Sequence, residues 1–177
     1  DNLYDRRNNA SNFFRLSNGQ LVANNPFVAR YWKNAYKRIT QCNRFLENVR
    51  SLPETDVTRR YAAEARFIRA CQYFYLSQYF QEVPLVTKVL TRDEANTVEK
   101  NGSKEITKFV IDELKAAVID LPRFKDLSVE QVGRASKQAA LAFLGRTYLT
   151  ENKWNEAAAV YKEIIDYVVT HGANVHA

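Results

Sequence analysis

Methionine is absent from the 177-residue chain, and glycine, proline, cysteine and histidine are scarce, at 5, 4, 2 and 2 residues. Each shortage excludes something. Few Gly and Pro leave little punctuation, which argues against the frequent tight turns of a sandwich or barrel and for long uninterrupted helices. Two cysteines, Cys42 and Cys71, cannot build a disulfide framework; both fall inside helical patterns and read as buried free thiols. The histidines, His171 and His176, fall in an expected tail, and no Cys/His cluster has zinc-ligand spacing. No run approaches the roughly 20 apolar residues that span a bilayer, and no basic start with a short apolar segment marks a secretion signal. With Asp1 first and no initiator, the chain reads as a processed protein or an excised segment.

What is present suffices for a core: 46% of residues are apolar and 12% aromatic. The net charge of +6 is concentrated at the front, where residues 1–70 hold 13 Lys/Arg against 6 Asp/Glu. Such a field can draw an acidic partner or nucleic acid. The cations are scattered along helices, however, so the expected reading is a solvated face with no nucleic-acid partner.

Residues 1–26, rich in Asn, Arg and Ser and closed by Pro26, read as an irregular arm. From Phe27 to about Leu52 the residues Tyr31, Ala35, Ile39, Cys42, Leu46 and Val49 recur at helical steps, and Pro53 ends that helix. A second helix over about Thr58–Phe80 carries two apolar faces, one through Tyr61, Ala65, Ile68, Tyr75 and Tyr79, another through Phe67, Ala70 and Phe74, and is expected to lie buried between neighbours. Val83-Pro84-Leu85-Val86 reads as extended chain, and Thr91–Gly102 as a connecting loop. A third helix follows Ser103, its expected cap, with Ile106, Val110, Leu114, Ala117 and Leu121 facing the core and Pro122 beyond. Past a polar linker and Gly133, helices over about Ala135–Glu151 and Trp154–Val169 are joined only by Asn152 and Lys153, so they pack antiparallel. Leu144, Gly145, Tyr148, Ala157 and Tyr161 give this hairpin the large, small, aromatic, small, aromatic spacing of a tetratricopeptide unit. The predicted class is all-α: tetratricopeptide-like antiparallel helix pairs, an alpha-alpha superhelix, over 27–170, with an arm at 1–26 and a tail at 171–177.

The second helix and its exit, Glu64-Ala65-Arg66-Phe67-Ile68-Arg69-Ala70, Tyr73, Phe74, Leu76, Phe80 and Val83-Pro84-Leu85-Val86, resemble the central signature of the SusD/RagB family. Companion positions follow in order: Trp32, Tyr36, Ile39 and Asn43; Ile111, Asp112, Leu114, Ala117, Leu121 and Pro122; Gly133, Arg134, Lys137, Ala139, Ala140, Leu144, Gly145, Tyr148, Leu149 and Trp154. One departure is Gln81, where the family pattern usually has Gly. Gly there would suit a turn with positive φ.

The resemblance implies the N-terminal part of a non-catalytic, surface-exposed lipoprotein of the outer membrane of a Bacteroidetes-type bacterium. Its partners would be a glycan ligand and a SusC-like TonB-dependent transporter, with a lipid anchor outside this chain and no cofactor. For sugar contact the candidates are Asn18, Asn24, Asn25 and Phe27, which combine amides for hydroxyls with one ring face. Asn is equally at home in turns and caps. Trp32 and Trp154 are expected to pack in the core, and Glu64, Arg66 and Arg69 to form interhelical ion pairs. Catalysis finds no nucleophile-elbow, phosphate-loop or metal pattern. The rival reading is a generic tetratricopeptide-like module that binds a peptide on its concave face.

Overall fold

The computed structural model describes residues 15, 19, 20, 22 and 24–171. Its regular elements are all helical: α1 (Pro26–Val49), α2 (Asp56–Phe80), α3 (Arg92–Thr97), α4 (Ser103–Asp120), α5 (Lys137–Thr150) and α6 (Trp154–His171). Single 3-10 turns lie at Phe124–Asp126 and Val129–Gln131. The chain divides into two compact units, residues 1–37 and 38–177, with the boundary inside α1.

In the larger unit α2 packs against α4, α4 against α5 and α5 against α6. Small side chains explain the closeness: Ala63 of α2, Ala117 of α4 and Ala140 of α5 are buried together with Leu121. Phe67 packs against that cluster and meets Phe143 edge to face at 5.7 Å, while Phe74 meets the same ring at 5.9 Å. Such edge contacts add about 0.5–1.5 kcal/mol each to area burial.

The α5–α6 hairpin forms as the short connection requires. Asn152 adopts a left-handed φ of 57°, and Lys153 donates its N–H to the Tyr148 carbonyl at 2.9 Å, which closes the end of α5. Gly145 lies under the Tyr161 ring: a Cβ built there would sit 2.7 Å from Tyr161 Cζ. The close approach is therefore between a helix backbone and an aromatic ring.

Several expectations need correction. Thr91–Gly102 is not all loop, because Thr91 and Glu94 form a capping box that starts α3. Gly102, in extended conformation, occupies the cap position of α4, and Ser103 is its first helical residue. Helix α6 continues through His171, while the tail beyond it lies outside the described residues. The α2 face through Tyr61, Ile68 and Tyr79 is open to solvent; the helix instead buries Ala63, Ala65, Ala70, Tyr73, Phe74 and Leu76 with several polar residues. Trp154 is 60% exposed, and Cys71 is half-buried. For the α2 face, Trp154 and Cys71 the sequence pattern identified an apolar side chain and said nothing about which neighbour reaches it.

At Gln81 the turn expected to favour Gly is present without it. Gln81 has φ 62° and ψ −76°, and Glu82 donates its N–H to the Phe80 carbonyl at 2.8 Å, the three-residue γ-turn that side chains tolerate poorly. Strain of this kind costs about 1–3 kcal/mol, against roughly 0.5–1 kcal/mol of extra chain entropy that Gly loses on folding. Gln81→Gly is expected to raise stability by about 1 kcal/mol, read as a Tm increase of roughly 2–4 °C. A decrease would show that the side chain supports the turn.

The cap of α3 titrates. The Glu94 carboxylate accepts from Lys88 and from the Thr91 N–H, and these hydrogen bonds, the Lys88 one foremost, hold its pKa at about 2. Because the folded value lies below the ordinary carboxylate value, the contribution is complete above about pH 4.5 and is lost as pH falls through about 2. The Thr91 amide resonance should follow that titration, and a midpoint near 4.5 would contradict it.

Candidate functional site

The candidate ligand residues sit where α1 begins. The Asn25 side chain accepts from the Phe27 N–H at 2.8 Å and its carbonyl accepts from Ala29 N–H at 3.1 Å, so it caps the helix, with Pro26 as the first helical residue. Asn25 is buried, Asn24 exposed and Phe27 half-buried. Asn18 lies outside the described residues. One turn on, the Trp32 and Tyr36 rings meet at 5.0 Å, tilted by 41°.

A second set of signature residues holds the extended segment 83–88, a strap that leaves α2. Its backbone finds little strand pairing: Val83 and Asn101 exchange N–H···O bonds at 3.3 and 3.0 Å, and the Asn101 side chain accepts from Leu85 N–H at 2.8 Å. Side chains from the helices satisfy several of its other polar groups. Tyr73 accepts from Val86 N–H at 2.7 Å and donates to the Val86 carbonyl at 3.0 Å; Asn43 donates to the Val86 and Lys88 carbonyls, both at 3.0 Å. Burial pushes the Tyr73 hydroxyl pKa upward, against the weaker opposing pulls of the Val86 hydrogen bond and the Arg69 charge, so it stays protonated and can play both parts.

These anchors are themselves fixed by a buried ion cluster. Arg69 Nη1 donates to Asn43 Oδ1 at 2.7 Å, which leaves the Asn43 amide nitrogen aimed at the strap, and Arg69 Nε donates to Glu113 Oε2 at 2.9 Å. Arg66 reaches the other oxygen, Glu113 Oε1, at 2.6 Å, and the Arg69 guanidinium lies 5.3 Å from the Phe109 ring. Glu113 was not singled out from the sequence. The available signal was its place in the apolar stripe of α4, three residues after Val110 and four before Ala117, where a carboxylate needs a partner.

Glu64 anchors a third cluster. It accepts from Arg134 Nε at 3.1 Å and Arg60 Nε at 3.2 Å, and the Arg134 guanidinium lies 5.0 Å from the Tyr61 ring. Gly133, at φ 95°, supplies the left-handed turn just before Arg134. Tyr148 is buried, with Lys115 Nζ 6.0 Å from its ring.

The cation and carboxylate pairs thus serve packing and register. Burial raises the Cys71 thiol pKa to about 12 and pushes that of Cys42 upward too, so both stay protonated. Among the described residues no group of three or more His, Cys, Asp and Glu side chains is placed to hold a metal ion, and no helix is long and apolar enough to cross a membrane.

Paired helices, a tetratricopeptide-like hairpin and a strap clamped by helix side chains define a helical-repeat scaffold. Residues 4–149 match the SusD-like family described as starch-binding and associating with the outer membrane, and the chain belongs to that family. A SusD-like protein of Bacteroides ovatus is 28% identical over 145 residues, covering 77% of this chain and 25% of its own. The crystal structure of a SusD-like carbohydrate binding protein from Bacteroides fragilis is 48% identical with a TM-score of 0.89, covering 93% of this chain and 32% of that one. A laminarin binding SusD-like protein of known structure is 34% identical with a TM-score of 0.71, covering 76% of this chain and 29% of that one. The chain therefore spans about a quarter to a third of the length of these relatives.

Proposed function

We propose that the full-length protein captures a polysaccharide or oligosaccharide at the outer-membrane surface and hands it to a partner TonB-dependent transporter, with no catalytic step. The observation that carries this reading is the match to a starch-binding, outer-membrane family over residues 4–149. The carbohydrate-binding and laminarin-binding relatives support it. In this reading the helices are the frame, and a lipid anchor outside this chain holds the protein to the membrane. Asn18, Asn24, Asn25 and Phe27 are the proposed ligand contacts. Asn24 and Phe27 combine an exposed amide with a half-buried ring, whereas Asn25 already commits Oδ1 to its helix and has only its amide nitrogen to offer.

Affinity electrophoresis of full-length protein through gels containing a panel of polysaccharides tests the proposal. Retardation by at least one glycan is expected, with Asn24→Ala and Phe27→Ala reducing it. Free migration through every gel would reject glycan capture, and unchanged retardation of both variants would reject these contacts alone.

A further inference from the structure

Between residues 38–45 of α1 and 61–68 of α2 runs an open groove of about 420 Å³, within the roughly 300–1,000 Å³ range of small-ligand sites. Its apolar wall is partly open to water: Phe45, Tyr61 and Ile68 are 39%, 40% and 43% exposed. Arg38, Gln41 and Arg134 add polar groups. An aromatic wall beside an amide and guanidinium groups is the set needed to stack a pyranose ring and pair its oxygens.

The charges select among sugars. Two guanidiniums, those of Arg38 and Arg134, line the groove beside one carboxylate, Glu64, which is already engaged by Arg134 and Arg60. Arg38 has a neutral hydrogen-bond acceptor, Gln72 Oε1, at 3.4 Å. Among the described residues no carboxylate pairs with Arg38, so its charge is the one left for an anion in the groove.

We propose that this groove is a subsite for a carboxylate-bearing sugar, a hexuronate unit of an acidic glycan, with its ring against Tyr61 and Phe45 and its carboxylate on Arg38. Arg and carboxylate pair strongly because the planar fork matches two oxygens. The inference rests on the glycan-capture reading and narrows it to a ligand class.

Full-length protein would be titrated with polygalacturonate and alginate as acidic probes and with laminarin and xyloglucan as neutral ones, at physiological salt. The wild type should bind a polyuronate, and free galacturonate should compete. Arg38→Gln and Tyr61→Ala should each weaken that binding by about tenfold or more, as loss of an Arg or aromatic anchor commonly does, with any neutral-glycan binding unchanged. Should Tyr61→Ala fail to fold, Arg38→Gln decides alone, since Arg38 is exposed and bonds the neutral Gln72. Binding of neutral glycans only, full polyuronate affinity in both variants, or equal competition by dextran sulfate would overturn the groove assignment while leaving glycan capture standing. No binding to any glycan would reject both.

Discussion

Glu113→Ala is expected to lower the unfolding free energy by about 3–5 kcal/mol, the cost of leaving a buried charge without its partner. Glu113 and Arg69 side chains are each only 7% exposed, so solvent cannot replace the lost carboxylate. Arg66, at 37%, can turn to water and adds little to the loss. A domain of this size is stable by about 5–15 kcal/mol in total, so the change should be visible as a Tm decrease of roughly 6–20 °C. Arg69 would also lose the restraint that keeps its Nη1 on Asn43, and faster hydrogen exchange of the Val86 amide should accompany the loss of stability. Replacing both partners by apolar residues, Glu113→Leu with Arg69→Met, should recover part of the deficit, because the desolvation cost disappears with the charges. A loss below about 1 kcal/mol for Glu113→Ala would show that the pair is solvated in solution.

Gly145→Leu is expected to destabilise by about 1–3 kcal/mol through overpacking. The first added carbon already falls 2.7 Å from Cζ and 2.8 Å from Cε1 of Tyr161, well inside contact distance. Helix propensity works the other way, favouring any ordinary residue over Gly by up to about 1 kcal/mol. Gly145→Ala balances these two terms most closely, and a small net loss is expected for it. Pairing Gly145→Leu with Tyr161→Ala in a double-mutant cycle should give a favourable coupling of about 1 kcal/mol or more, since the obstacle is one ring. An alanine variant more stable than the parent would mean that Tyr161 swings aside at little cost.

These positions also show what was legible in the sequence. The hairpin could be read because its determinants are local: Asn152 and Lys153 are too few to allow anything but a reversal, and Gly145 has one spacing to Tyr161 on the facing helix. Pro53 and Pro122 likewise bracketed α1 and α4. Helix α3 escaped because six residues are too short for apolar periodicity; its sign was the Thr91 and Glu94 capping box. The exposed α2 face and Trp154 escaped for another reason. A hydrophobic stripe states which side chains would gain from burial, and only the tertiary arrangement decides whether anything comes to cover them.

The ion clusters were half legible. Charged residues within apolar stripes, Glu64, Arg66 and Arg69, announced that partners existed, but pairing across helices depends on register, which no local pattern encodes. Hence Arg69 could be marked as structural while Glu113, 44 positions away, was overlooked. The turn at Gln81 was the reverse case: the departure from Gly drew attention to the place, and the backbone kept the left-handed conformation regardless.

The strap is tied down mainly by its main-chain atoms, through Tyr73, Asn43 and Asn101; the exposed side chain of Thr87 takes no part in holding its course, whereas that of Lys88 reaches the Glu94 carboxylate at the start of α3. Decoration and support are thereby separated. The residue at position 87 can be exchanged by drift or by design without rerouting the chain, whereas a change at Lys88 would take a hydrogen bond from the cap of α3 and a change at any of the three tethers would loosen the segment itself.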